Sequence, residues 1–267
     1  RIGDIYVLTE AQVREFREQG LARLEAVLTE AEVSELEEVY EKFMRREIPV
    51  PGKDFCDMSQ GFDTPFSEYR IVNAMLPTKY YPAWQGNIYE RIATSIVPQL
   101  FPDKAMTPDY DQLLNKRPGK KDAVFAWHQD MAYWPQTPDT ATVTFSLAID
   151  ETTAENGCLR YVPGSGVSKA LRPHKPLGSS RDEAHAIQAS VGPDEEVRLA
   201  PVKRGSMTIH DEYVVHGSGG NYSESNRRTY VLAFRAAETV ALERKAGFTH
   251  SHNDNVNWDT FREHGSV

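Results

Sequence analysis

The sequence predicts a mainly β fold with flanking helices, of the jelly-roll kind, on three observations. Apolar residues follow helical spacing only at the front of the chain, and from Tyr110 onward the hydrophobic period changes to two. The stretch from Thr142 to Asp150 alternates cleanly, with Val143, Phe145, Leu147 and Ile149 on one face and Thr144, Ser146 and Ala148 on the other. At 267 residues, with 40% hydrophobic and 10% aromatic side chains, the chain can enclose one sizeable core. Residues 1–267 therefore read as one domain, with a helix-rich front over 1–109, a β core over 110–240 and a C-terminal tail over 241–267.

Each element has its own signal. Thr9-Glu10-Ala11-Gln12 is a capping-box start, followed by Val13, Phe16 and Leu21 as an apolar face that Gly20 interrupts. A second start, Thr29-Glu30-Ala31-Glu32, leads into Val33, Leu36, Val39, Tyr40 and Phe43, a stripe suited to covering a sheet. A third helix is expected from about Pro82 to Leu100, ended by Pro98 and Pro102, and residues 47–66 read as an irregular crossing loop. The small face of 142–150 either lines an interior, leaving room for a ligand, or meets water. Asn156-Gly157 predicts a tight hairpin turn, and Pro163-Gly164-Ser165-Gly166 ends the next strand. Residues 167–200 mix Pro, Gly and charge without alternation, and so long a stretch in a compact domain predicts a lid. Strands at 206–209 and 213–216, a turn at 217–221 and a returning strand at 229–234 complete the core.

Net charge of −9 and a pI near 5.4 argue against nucleic acid or an anionic membrane surface as the main partner. No apolar run approaches the ~20 residues of a membrane span. Cys56 and Cys158 make no disulfide framework and suit a reducing compartment, with Cys158 expected as a buried apolar filler. A cytoplasmic location is the expectation, with a removed leader left open by Arg1 at the first position. No pattern sets the oligomeric state.

The chemistry centres on Trp127-His128-Gln129-Asp130. Side chains two apart on a strand share a face, so His128 and Asp130 can share one metal ion. A distant histidine would complete a set of two imidazoles and one carboxylate, which leaves the opposite positions open as non-heme Fe(II) oxygenases require. A second His-x-Asp, His252-Asn253-Asp254, has too little chain after it to bring back a distal ligand. His210 and His216 compete for the third position. Arg227 and Arg228 are neighbours, so at most one points inward.

Three blocks then resemble a known family: His128-Gln129-Asp130-Met131-Ala132-Tyr133-Trp134, Glu155-Asn156-Gly157-Cys158-Leu159-Arg160-Tyr161-Val162-Pro163-Gly164-Ser165, and His216-Gly217-Ser218-Gly219-Gly220-Asn221 with Arg227-Arg228. In order and spacing they look like the phytanoyl-CoA dioxygenase family of Fe(II)- and 2-oxoglutarate-dependent oxygenases, over about Thr9 to Arg235. The resemblance implies a double-stranded β-helix, cupin-like, with N-terminal helices packed on the major sheet. It selects His216 as the third ligand, leaving His210 hydrogen-bonded near the turn, and it selects Arg227 for the distal carboxylate of 2-oxoglutarate, which a guanidinium fork can hold bidentately. Arg228 then faces solvent or a surface acid. Ser218 and Asn115 are candidate helpers for the cosubstrate, and Tyr133 and Trp134 candidate walls of a substrate pocket.

The implied reaction takes Fe(II), 2-oxoglutarate and O2, releases succinate and CO2, and attacks an unactivated C–H bond of a small molecule. Related halogenases replace the carboxylate ligand with a small residue, so Asp130 makes hydroxylation the default; desaturation, epoxidation and cyclisation start from the same oxidant. Two other readings are a metal-dependent cupin that is not an oxygenase and a non-catalytic jelly roll. Selectivity is expected from the lid and from the tail over Thr249 to Trp258.

Overall fold

The structure, a computed structural model, describes residues 1–254. Both capping boxes form. Helix α1 (Glu10–Gln19) is capped by Thr9 and Gln12, and Gly20 stops it in the left-handed region at φ 81°. Leu21, expected on this helix, instead opens strand β1 (Leu21–Leu24). Helix α2 (Glu30–Met44) starts at Thr29 and buries Val33, Leu36, Tyr40 and Phe43.

The expected loop at 47–66 contains a short strand, β2 (Phe55–Asp57), which pairs with β3 (Ile71–Met75). After the single-turn α3 (Pro77–Tyr80), the expected third helix is divided: a 3-10 turn at Pro82–Trp84, then α4 (Ile88–Leu100). Asn87 divides them because its side chain accepts from the Glu90 amide at 3.1 Å, a fresh N-cap. Pro98, expected as an end marker, lies inside α4.

Strands β4 (Met106–Lys116), β5 (Phe125–His128), β6 (Thr142–Ala148) and β7 (Leu159–Tyr161) follow. Next come β8 (Lys175–Pro176) and β9 (Ile187–Gln188), a two-stranded ribbon, and then β10 (Arg198–Ala200). The last described elements are β11 (Met207–His210), β12 (His216–Ser218), β13 (Arg227–Ala236) and α5 (Ala237–Lys245). A major sheet of order β1-β11-β6-β13-β4-β3-β2 faces a minor sheet of order β10-β7-β12-β5. All neighbouring pairs are antiparallel. This is the expected jelly roll, with two adjustments. The front supplies β1, β2 and β3 of the major sheet, so the helical and β parts interleave. Asn156-Gly157 joins β6 to β7, which belong to different sheets, so it is a crossing turn and not a hairpin.

The outer face of the major sheet carries the core. Val143, Phe145, Leu147 and Ile209 pack with Leu36, Tyr40, Phe43, Ile92 and Ile96 from α2 and α4. Each large side chain so buried contributes roughly 1.5–3 kcal/mol. On the inner face Thr144 and Ser146 line a cavity between the sheets, the first of the two fates open to that alternation. The expected lid is ordered around the β8–β9 ribbon and ends where β10 joins the minor sheet. Among the described residues no helix is long and apolar enough to cross a membrane.

Candidate active site

His128 closes β5, His216 opens β12, and the two are direct cross-strand partners. Their side chains leave the same face with ring centroids 4.2 Å apart. Gln129 stays extended (φ −119°, ψ 133°) before a 3-10 turn over Asp130–Tyr133. Strand alternation therefore reaches Asp130 even though Asp130 lies two residues past the end of the strand. Asp130 Oδ1 is 3.4 Å from His128 Nε2 and 3.5 Å from His216 Nε2. Among the described residues these three form one of two clusters whose donor atoms all lie within 4.8 Å of one another.

The protons fix what this trio can do. His128 Nδ1 lies 2.8 Å from the Ala126 carbonyl and His216 Nδ1 lies 3.0 Å from the Val214 carbonyl, so each Nδ1–H is donated to backbone and each Nε2 is left with a lone pair. Burial, reinforced by His128 and His210, pushes the His216 imidazole well below its ordinary range and keeps it neutral. Burial works against charge on Asp130 as well, and positive charge beside it, on an imidazole or on an ion between them, is what holds its carboxyl well below the usual carboxylate range. Two lone pairs and an anionic oxygen converge. They repel one another unless a cation lies between them, and two imidazoles with one carboxylate suit Fe(II). His210 is not in this set: its Nε2 lies 3.2 Å from Asp130 Oδ2, the other carboxylate oxygen.

The same cavity carries buried positive groups. Arg227 donates to the Gly157 carbonyl at 2.7 Å and to Thr229 Oγ1 at 3.3 Å; its Nε has no partner, and no carboxylate of the described residues forms an ion pair with it. Burial pulls its pKa down to about 10. Gly157 sits at φ 77°, and a Cβ there would come within 2.3 Å of the Gly219 carbonyl, so the turn that holds Arg227 tolerates only glycine. Lys116 is the cross-strand partner of Arg227. It lines the cavity and donates to the carbonyls of Ala123 and Gly219, and burial followed by the nearby Arg227 pushes its amine well below the usual range.

Ser218 lines the cavity, but Asn115 does not. Gln112, Leu114 and Lys116 face inward on β4, so Asn115 points to the helix side, opposite Arg228. The expectation that Asn115 faces the site is thus corrected by one residue of parity: Lys116, its polar neighbour on β4, lines the cavity. Arg228 bonds Asp150, Glu37 and Glu41 on that outer side.

Tyr133 and Trp134 both line the cavity. The Tyr133 ring stacks on His185 of the lid (centroids 4.9 Å, 4° between planes), and its hydroxyl accepts from the Ile187 amide at 3.1 Å. The Arg235 guanidinium lies 4.1 Å over Trp134. His185 of the expected lid and His250 of the expected tail also line the cavity, though neither was singled out within its segment as a cavity residue. The His252 ring, from the second His-x-Asp, packs at a tilt against His185 with centroids 4.3 Å apart, while the Asp254 carboxylate accepts from Thr249, so those two do not converge on an ion. Of the tail expected to confer selectivity, Asn255 to Trp258 lie outside the described residues, as does His264. The other donor cluster, Asp109, Glu243 and His250, is already filled: Arg235 reaches Asp109 at 3.0 Å and Glu243 at 2.6 Å, and Arg244 also bonds Asp109.

The model of the phytanoyl-CoA dioxygenase (PhyH) family matches residues 16–229. The chain belongs to the phytanoyl-CoA dioxygenase family. A relative described as a probable alpha-ketoglutarate-dependent hypophosphite dioxygenase, from Stutzerimonas stutzeri, is 26% identical over 242 residues, which is 86% of this chain and 80% of that one. The human peroxisomal phytanoyl-CoA dioxygenase is 26% identical over 253 residues, 91% of this chain and 72% of that one. Among solved structures, EvdO2 from Micromonospora carbonacea var. aurantiaca complexed with 2-oxoglutarate superposes with a TM-score of 0.68 at 25% identity, covering 87% of this chain and 92% of that one. This family member is a 2-oxoglutarate-dependent non-heme iron dioxygenase that acts on a small molecule.

Proposed function

We propose that the enzyme hydroxylates an unactivated C–H bond, with His128, Asp130 and His216 holding Fe(II) and Arg227 receiving the distal carboxylate of 2-oxoglutarate. The observation that carries this reading is the convergence of two Nε2 lone pairs and one carboxylate oxygen in a cavity that also holds a buried guanidinium without an acid. Bound iron and 2-oxoglutarate, with O2, supply the oxidising power and release succinate and CO2. The protein supplies orientation. Arg227 fixes the cosubstrate through a planar fork, Lys116 and Ser218 add polar contacts beside it, and the lid excludes water over Tyr133.

One catalytic domain contains all of this, since both sheets, the lid and the tail line a single cavity. Its two cysteines are buried free thiols, which suits a reducing setting such as the cytoplasm. The relatives are named for substrates as unlike as hypophosphite and phytanoyl-CoA. Selectivity must therefore come from the cavity wall, and here Tyr133, Trp134, His185 and Tyr110 present an aromatic, neutral surface.

The test is anaerobic addition of Fe(II) and then 2-oxoglutarate to the purified protein. A visible charge-transfer band is expected; its absence removes the iron reading. A substrate screen then looks for succinate release coupled to a mass gain of one oxygen atom, whereas loss of two hydrogens would mark desaturation instead.

A further inference from the structure

A third imidazole, His210, is buried against the ligand set without belonging to it. His210 on β11 and Thr144 on β6 are direct cross-strand partners of the major sheet, and both line the cavity. Their side chains converge on one atom. Thr144 Oγ1 donates to Asp130 Oδ2 at 3.1 Å, and His210 Nε2 lies 3.2 Å from the same oxygen. Oδ1 is the oxygen that faces the two other imidazoles. His210 Nδ1 is buried with no partner, which places the ring proton on Nε2, where the carboxylate accepts it; a proton on Nδ1 would be a buried, unsatisfied donor.

We propose, on the iron reading above, that Thr144 and His210 form a carboxylate clamp, which commits Asp130 to the metal through Oδ1 alone and keeps the neighbouring coordination position open for O2. A carboxylate can bind a divalent ion through one oxygen or through both, and the side chain itself does not choose. Binding through both would take a position that cosubstrate and O2 need. Two hydrogen bonds from adjacent strands of one sheet oppose that rotation, because swinging Oδ2 toward the ion breaks both. Thr144 and His210 are thus positioning residues that act through Asp130.

The experiment uses the full chain with Thr144→Val, His210→Phe and His210→Gln, each loaded anaerobically with Fe(II) and 2-oxoglutarate and titrated with nitric oxide, which takes the position O2 would occupy. The charge-transfer band is expected to persist in all three. At saturating Fe(II), nitric oxide affinity is expected to fall about tenfold or more in Thr144→Val and His210→Phe, a change of the order that loss of a supporting group makes in metal affinity or activity. His210→Gln, which retains an N–H donor, should recover most of it, and KM for O2 should rise more than kcat falls. Unchanged nitric oxide affinity and unchanged KM for O2 in Thr144→Val and His210→Phe would overturn the clamp. So would loss of Fe(II) binding in both, since the pair would then be holding the ion itself. A native protein that gives no band fails the iron reading instead, which is a separate outcome.

Discussion

His216 and His210 are the same residue type, six positions apart, and they face opposite oxygens of one carboxylate. His216→Ala is expected to abolish iron-dependent succinate formation, whereas His210→Ala leaves a measurable fraction; equal, near-total losses in a single-turnover assay would contradict the ligand assignment. Arg227→Lys preserves charge but not the fork, and a compact ammonium cannot make two parallel bonds to a carboxylate. KM for 2-oxoglutarate should rise by about tenfold, corresponding to ~1.4 kcal/mol of lost binding. An unchanged KM would move the cosubstrate elsewhere in the cavity. The His128–Asp130 pair was legible because alternation is a local rule. Lys116 was not, since it differs from Asn115 only in which face it occupies, and β4 offers polar residues on both.

At the scale of elements, the alternation of β6 separated its two faces but left open whether the Thr/Ser face met water or an interior; packing of the bulky face against the helices puts Thr144 and Ser146 on the cavity. Short β1 and β2 gave no such signal, because a strand of three or four residues is too brief to show a period. The lid was legible as irregular chain, but its inner surface was not, since His185 owes its place to contacts with Tyr133 and His252, far away in sequence. The His185 ring lines the same cavity as His128 and stacks on Tyr133. His185→Ala should raise KM for the substrate several-fold while leaving the charge-transfer band of the Fe(II)·2-oxoglutarate complex intact. A change in that band without a change in KM would place His185 with the metal and not with the substrate.

Across the whole molecule, the C-terminal helix is tied to the major sheet by charge. Arg235, fully buried on β13, pairs with Asp109 from β4 and Glu243 from α5. Removing one member of a buried ion pair strands the other, so Arg235→Met should destabilise the fold by about 3–5 kcal/mol in urea denaturation. A loss below ~1 kcal/mol would mean that Arg244 and His250 suffice to compensate the acids. This network left no trace in the sequence, because its members come from three separated elements and match no spacing rule.

The imidazoles of His128 and His216 stand on the minor sheet, while the Asp130 carboxylate beside them is hydrogen-bonded from the major one. An ion seated there rivets the halves of the sandwich, and because it binds only the folded form it adds about 2.7 kcal/mol at a hundredfold excess over its dissociation constant. On the proposed site, heat tolerance is expected to follow the local iron supply, a shift in melting temperature on adding Fe(II) being the check. An iron-starved cell would carry copies that are not merely idle but also opened, digested and replaced sooner.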